Sequence, residues 1–121
     1  MAENLRAVMV EPGKPAYATE IPHTLEAEQK AVGGLIEIVY LDDGGILVCN
    51  DEGKLRGMEG NRRLDNGSII AGPFFVVGDG GEDFRSLTDA EVNRYLLKYA
   101  QPEQISQREV QADMGFTFMF F

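Results

Sequence analysis

Tryptophan is absent from this 121-residue sequence, cysteine and histidine occur once each, and 11 basic residues face 20 acidic ones. The lone Cys49 excludes an intramolecular disulfide, which suits a reducing compartment, and we expect a cytoplasmic protein. The lone His23 would need an orienting partner and a nearby nucleophile to act as a base, and the spacing offers neither. A solvated histidine just ahead of a helix is the expectation. The shortage of basic residues leaves a formal net charge of −9 and a pI near 4.5, which repels phosphate backbones. Direct nucleic-acid binding is therefore not expected. Imitation of DNA by ordered rows of acids is disfavoured too, because the acids are scattered along the chain. No run approaches the ~20 apolar residues of a membrane helix. The opening MAENLRAVMVEPG has no basic region leading into an apolar core, so neither membrane nor signal peptide is expected.

What is present is ordinary for one soluble domain, 1–121: 44% hydrophobic and 26% charged residues, enough for a core without disulfides or metal. Residues 5–10 (LRAVMV) read as a strand, stopped by Glu11-Pro12-Gly13-Lys14-Pro15, and 17–21 as its return. Thr24 caps a short helix over 25–32, which Gly33-Gly34 ends. The strongest local signal follows. Two apolar runs, 35–41 and 46–49, flank Asp42-Asp43-Gly44-Gly45, a β-hairpin pattern. The apolar run 68–77 (SIIAGPFFVV) is broken by Gly72-Pro73, so it reads as a bulged strand or two short ones.

Leu87-Thr88-Asp89-Ala90-Glu91-Val92 carries a capping box and hydrophobic staple, opening a helix over 89–100. Its stripe of Val92, Tyr95, Leu96 and Tyr99 should pack on the sheet. The same grammar recurs from Ile105 to Val110, whereas Val110, Ala112, Met114, Phe116, Phe118 and Phe120 alternate as in a strand. We expect a short helix to about Met114 and then a strand over 116–120. Phe116, Phe118 and Phe120 on one side of that strand, with Met119 and Phe121 on the other, point to a homodimer through the tail.

The polar segment 50–63 is the candidate site. Four of the 11 basic residues fall between positions 54 and 63. Asn50, Lys54, Arg56, Asn61, Arg62 and Arg63 are the candidate ligand-binding residues: guanidinium forks grip carboxylates or phosphates at two points, and interspersed glycines let backbone N–H groups approach an anion. The spacing matches no Walker or dinucleotide fingerprint. The competing reading pairs the arginines with Glu52, Glu59 and Asp65. Asp51, Glu52 and Asp65 lack the ligand order of a calcium loop, and no metal or cofactor is expected. Cys49 among apolar neighbours reads as a buried structural cysteine. No catalytic residue is assigned.

Val10-Glu11-Pro12-Gly13, Val32-Gly33-Gly34-Leu35-Ile36-Glu37 and Val48-Cys49-Asn50-Asp51-Glu52-Gly53-Lys54-Leu55 together resemble domain-of-unknown-function family 3846. Asn61-Arg62, Ile70-Ala71-Gly72 and Ser86-Leu87-Thr88-Asp89 continue the likeness over about residues 6–100, leaving 101–121 as an extension. The resemblance implies a compact α+β domain and a phage or mobile-element setting, with no established activity. The fold expected is α+β, a mostly antiparallel sheet of about five or six strands with helices packed on one face. The function expected is that of an accessory protein, not an enzyme, binding a host or mobile-element protein. The alternative is a sensor or sponge for an anionic, nucleotide-like ligand at segment 50–63.

Overall fold

The computed structural model describes residues 3–114. The strand and homodimer contact expected of Phe116, Phe118 and Phe120 lie outside the described residues. The chain runs β1 (Asn4–Val10), β2 (Tyr17–Pro22), α1 (Leu25–Val32), β3 (Ile36–Tyr40) and β4 (Gly45–Asn50). It continues through β5 (Gly60–Arg63), β6 (Ile69–Ala71), β7 (Phe74–Asp79), β8 (Phe84–Arg85), α2 (Asp89–Lys98) and α3 (Gln107–Asp113). The fold is α+β, as expected.

The main sheet has six strands in the order β2-β1-β7-β4-β3, with β8 added to β7, and every pairing is antiparallel. Two local hairpins supply its halves: β1–β2 with Leu5 opposite Ile21, and β3–β4 with Ile38 opposite Val48. The most apolar run is cut at Gly72-Pro73 into two strands belonging to different sheets. β6 pairs with β5 in a separate two-stranded sheet, while β7 becomes the centre of the large one. Gly72 is needed at the break: its φ is +84°, and a Cβ there would lie 2.5 Å from the Met58 sulfur.

The expectation that the helices share one face is corrected. Val8, Val10, Leu47, Cys49, Phe74 and Val76 point to one side of the sheet, against Val92, Tyr95 and Tyr99 of α2. Ala7, Met9, Ile46, Val48, Phe75 and Val77 point to the other, against Val32 of α1. The reason is in the central strands, which are apolar at both parities and so need a cover on both sides. A third, smaller cluster joins Ile69 and Ala71 to Val110 of α3.

Local caps behave as the sequence predicts. Thr24 accepts from the Ala27 N–H at 3.1 Å, and Thr88–Glu91 and Ser106–Glu109 form reciprocal capping boxes. Helix α2 ends at Lys98 with Tyr99 as its cap, and Leu96 is only half-buried, so the buried stripe is Val92, Tyr95 and Tyr99. Residues 107–113 are helical, settling that stretch in favour of the capping signal. Gly45 matters for a close approach: a Cβ there would fall 2.0 Å from the Tyr95 hydroxyl, which donates to Asp43 Oδ1 at 2.6 Å.

Two predictions concern the scaffold. Replacing the fully buried Leu47 by Ala should cost about 2–5 kcal/mol in urea denaturation. The exposed Leu97→Ala should stay within about 0.5 kcal/mol of the parent.

Arg85 holds Glu91 through two bonds of 2.8 and 2.9 Å and the Thr88 N–H adds another, drawing its pKa from 4.5 down to about 2. A pKa depressed on folding contributes stability that is present above the unfolded value and lost as pH falls through the folded one. The denaturation midpoint should therefore drop between about pH 5 and pH 2, and Glu91→Gln should flatten that drop.

Candidate functional site

Strand β4 delivers the chain into segment 50–63, and its polar side chains turn out to be fastened to the fold. Asn50 is buried; its Nδ2 donates to the Val32 carbonyl at 3.0 Å, and its Oδ1 accepts from the Glu52 N–H at 2.7 Å. The Lys54 ammonium bonds the Asp113 carboxylate, which also accepts from the Ile69 N–H at 3.1 Å. Arg56 is exposed, with Nε 3.4 Å from Glu52 Oε1. Arg63 reaches Glu103 at 3.4 Å and Glu109 at 2.9 Å. The pairing reading thus names the right acid for Arg56 and the wrong ones for Arg63. Asp65 instead lies 3.4 Å from Lys98.

Asn61 and Arg62 are different. Asn61 is fully buried, and its Nδ2 donates to the Val10 and Gly72 carbonyls, each at 2.9 Å. Arg62 is 1% exposed and, among the described residues, meets no carboxylate within bonding distance. Its guanidinium donates to the Asn61 carbonyl at 3.1 Å, Asn61 Oδ1 at 2.8 Å, the Lys14 carbonyl at 2.6 Å and the Tyr99 carbonyl at 2.9 Å. Burial pulls its pKa down, and Glu103 and Tyr99 work against that. The three arginines therefore face three surroundings and line no common pocket. Every cation of the segment is paired or buried among the described residues.

Asn50 and Lys54 do share one cleft of about 190 Å³ with Glu37, Cys49, Ile69 and Met114. The Cys49 thiol inside it faces the Glu37 carbonyl at 3.7 Å, and burial, reinforced by Glu37, pushes its pKa up to about 12. It stays protonated and is a poor nucleophile. His23 is not solvated as expected. Its Nε2 lies 2.9 Å from Asp83 Oδ1, 60 positions away, and its ring stacks on the next residue, Phe84, at 6.4 Å. Cys49 packs on the α2 side of the sheet and Phe84 on the α1 side, so thiol and imidazole do not meet. Among the described residues, no group of three or more His, Cys, Asp or Glu side chains is placed to hold a metal.

The surface least explained by folding is elsewhere, on β3. This strand pairs only with β4, so its outer edge is open among the described residues. Ile36, Ile38 and Tyr40 lie on its α1 side and, with Ile46, Phe84 and Glu28, line a groove of about 270 Å³. Ile38 is 40% and Tyr40 71% exposed. The alternation in IEIVY signals a half-buried strand, and nothing local marks its apolar row as uncovered.

The family described as Domain of unknown function (DUF3846) has a model that matches residues 5–100. The chain belongs to this family. Neither the curated proteins nor the solved structures contain a match to it. The DUF3846 region takes in the main sheet apart from Asn4 at the start of β1, with α1, α2 and the β3 groove, and ends before α3. Glu103, Glu109 and Asp113, which neutralise Arg63 and Lys54, lie outside the DUF3846 match. No helix of the described residues is long and apolar enough to cross a membrane.

The geometry turns Arg62 from a ligand contact into a structural residue. Arg62→Ala should lower stability by about 3–5 kcal/mol, as loss of a buried, hydrogen-bonded charge does, because its acceptors would be stranded. Arg63→Ala, at an exposed pair, should cost under about 1 kcal/mol. Urea denaturation of the two single variants checks the contrast. Equal losses would refute it.

Proposed function

We propose that this chain is a non-catalytic accessory protein of a phage or mobile element that acts by binding another protein through β3 and the groove beside it. The observation that carries this reading is the open edge of β3, with Ile38 and Tyr40 exposed along it. An edge strand offers unpaired N–H and C=O groups, and a partner strand that adds to it gains a ladder of backbone bonds. Neighbouring apolar side chains then supply burial and selectivity. The mobile-element setting rests on the family likeness. A net charge of −9 favours solubility of the unpartnered chain. The reading of segment 50–63 as an anion or nucleotide site finds no support in the geometry, since its cations are already engaged.

The test uses Ile38→Lys combined with Tyr40→Glu. Both side chains are exposed, so the double variant should fold with little loss of stability, about 0.5 kcal/mol per site. Immobilised parent and variant would be compared for capture of host and element proteins, and any captured protein re-examined with purified components. The parent should bind a defined protein at least about tenfold more tightly than the variant, a difference of about 1.4 kcal/mol. Equal binding by both would move the interface off β3, and a parent with no partner would end the proposal.

A further inference from the structure

Glu28 is the one acid of α1 turned toward the sheet, one helical turn before Val32, and it is only 5% exposed. Among the described residues no donor reaches its carboxylate; burial pushes its pKa up, His23 pulls it down and Asp83 raises it further. A carboxylate left so little water and given no partner is costly, and a nearly buried acid of this kind requires an explanation. Its surroundings give one. The same groove holds Ile36, Ile38, Tyr40 and Phe84, and Glu82 and Asp83 stand at its margin. The basic group that acts on Glu28 and Asp83 is His23, and its Nε2 is already engaged by Asp83. Lys30 of α1 lines a different groove, with Glu26 and Ala27. Apolar walls, a buried acid and an acidic rim are complementary to a long side chain with an apolar stem and a cationic head.

We propose that the groove receives an extended segment of the partner protein in which a lysine or arginine is flanked by apolar residues. The segment's backbone adds to the outer edge of β3, its apolar side chains cover Ile38 and Tyr40, and its basic side chain runs over Ile38 to bond Glu28. This deepens the protein-binding reading above and rests on it. The neighbouring exposed tyrosine and isoleucine argue for a polypeptide occupant, since a small amine would fill the acid's end of the groove and leave them bare.

The experiment uses short strand-forming peptides of alternating valine and lysine, the same with norleucine at the lysine positions, and the same with glutamate there. Binding is followed by fluorescence anisotropy and by amide chemical shifts of the full chain. The lysine peptide should bind with shifts concentrated at residues 36–40 and around Glu28, and the glutamate peptide should not bind. Glu28→Gln should weaken the lysine peptide about ten- to a hundredfold, the worth of a charge-assisted bond, and leave the norleucine peptide unchanged. Glu26→Gln, at an exposed position on the same helix, is the control and should change neither. Lysine and norleucine peptides bound equally at β3, with Glu28→Gln silent, would overturn the cation site while the docking reading stands. Equal losses from Glu26→Gln and Glu28→Gln would also overturn it, by reducing the effect to general charge attraction. If none of the peptides shifts residues 36–40, the docking reading falls with it.

Discussion

A guanidinium buried without a carboxylate ties the far ends of this fold together. The two terminal nitrogens of Arg62 donate to carbonyls from three places: the β1–β2 turn at Lys14, the end of α2 at Tyr99, and its own neighbour Asn61; its Nε is buried without a partner among the described residues. Asn61 extends the clasp to Val10 at the end of β1 and Gly72 at the β6–β7 break. Lysine has three donors on a flexible stem and cannot reproduce this fork, whereas arginine keeps its charge even when burial lowers its pKa. Carbonyl dipoles stand in for a counter-ion. The register of β5 against β6 shifts between Gly60 and Arg62, which lets two successive residues, Asn61 and Arg62, both face inward. Without that irregularity a strand would send one of them to solvent.

This constraint explains why a polar, glycine-punctuated segment with clustered cations serves architecture. The small β5–β6 sheet brings few apolar side chains to the fold: Ile70 enters the main core, and Ile69 and Ala71 pack with Val110. Directional bonds make up the difference. Arg62 locks β5 to α2, Lys54 with Asp113 locks the preceding turn to α3, and Arg63 with Glu103 and Glu109 fixes the approach to that helix. These bonds supplement Ile70, the one residue of β6 that enters the main core beside Phe74 and Tyr99.

What the sequence reveals and what it hides follow from the range of the interactions. Thr88–Glu91 and Ser106–Glu109 span three residues, so their capping boxes are plain in the sequence. The two hairpins are equally local, and with them the antiparallel α+β class. The Arg62 bonds span 48 and 37 residues, and those of Arg63 span 40 and 46, so no spacing rule identifies the partners. Reading those arginines as ligand contacts, or as partners of the nearby acids Glu52, Glu59 and Asp65, follows from seeing only their neighbours. The placement of α1 and α2 on opposite faces was legible in principle, from apolar residues at both parities of β1, β4 and β7. The β3 groove was not, because an apolar row looks the same whether something covers it or not.

The two outer edges of the sheet are built differently, and the difference bears on what β3 is for. Strand β2 carries Thr19 and Glu20 and finishes at Pro22, a set of features that blunts pairing by another strand. Strand β3 has no proline, and its one acid, Glu37, turns to the opposite side to line the Cys49 cleft. Its α1 side therefore presents only Ile36, Ile38 and Tyr40 along the edge. Any protection of this edge against self-association would have to come from charge. Two copies meeting edge to edge at β3 would bring Glu28, Glu82 and Asp83 of each toward the other in a partly dehydrated seam, where like charges repel strongly. A cationic strand meets attraction at the same place. On the proposed reading, the acids beside β3 would do for specificity what proline does for β2: they would disfavour a second copy of this chain and favour a partner of opposite charge.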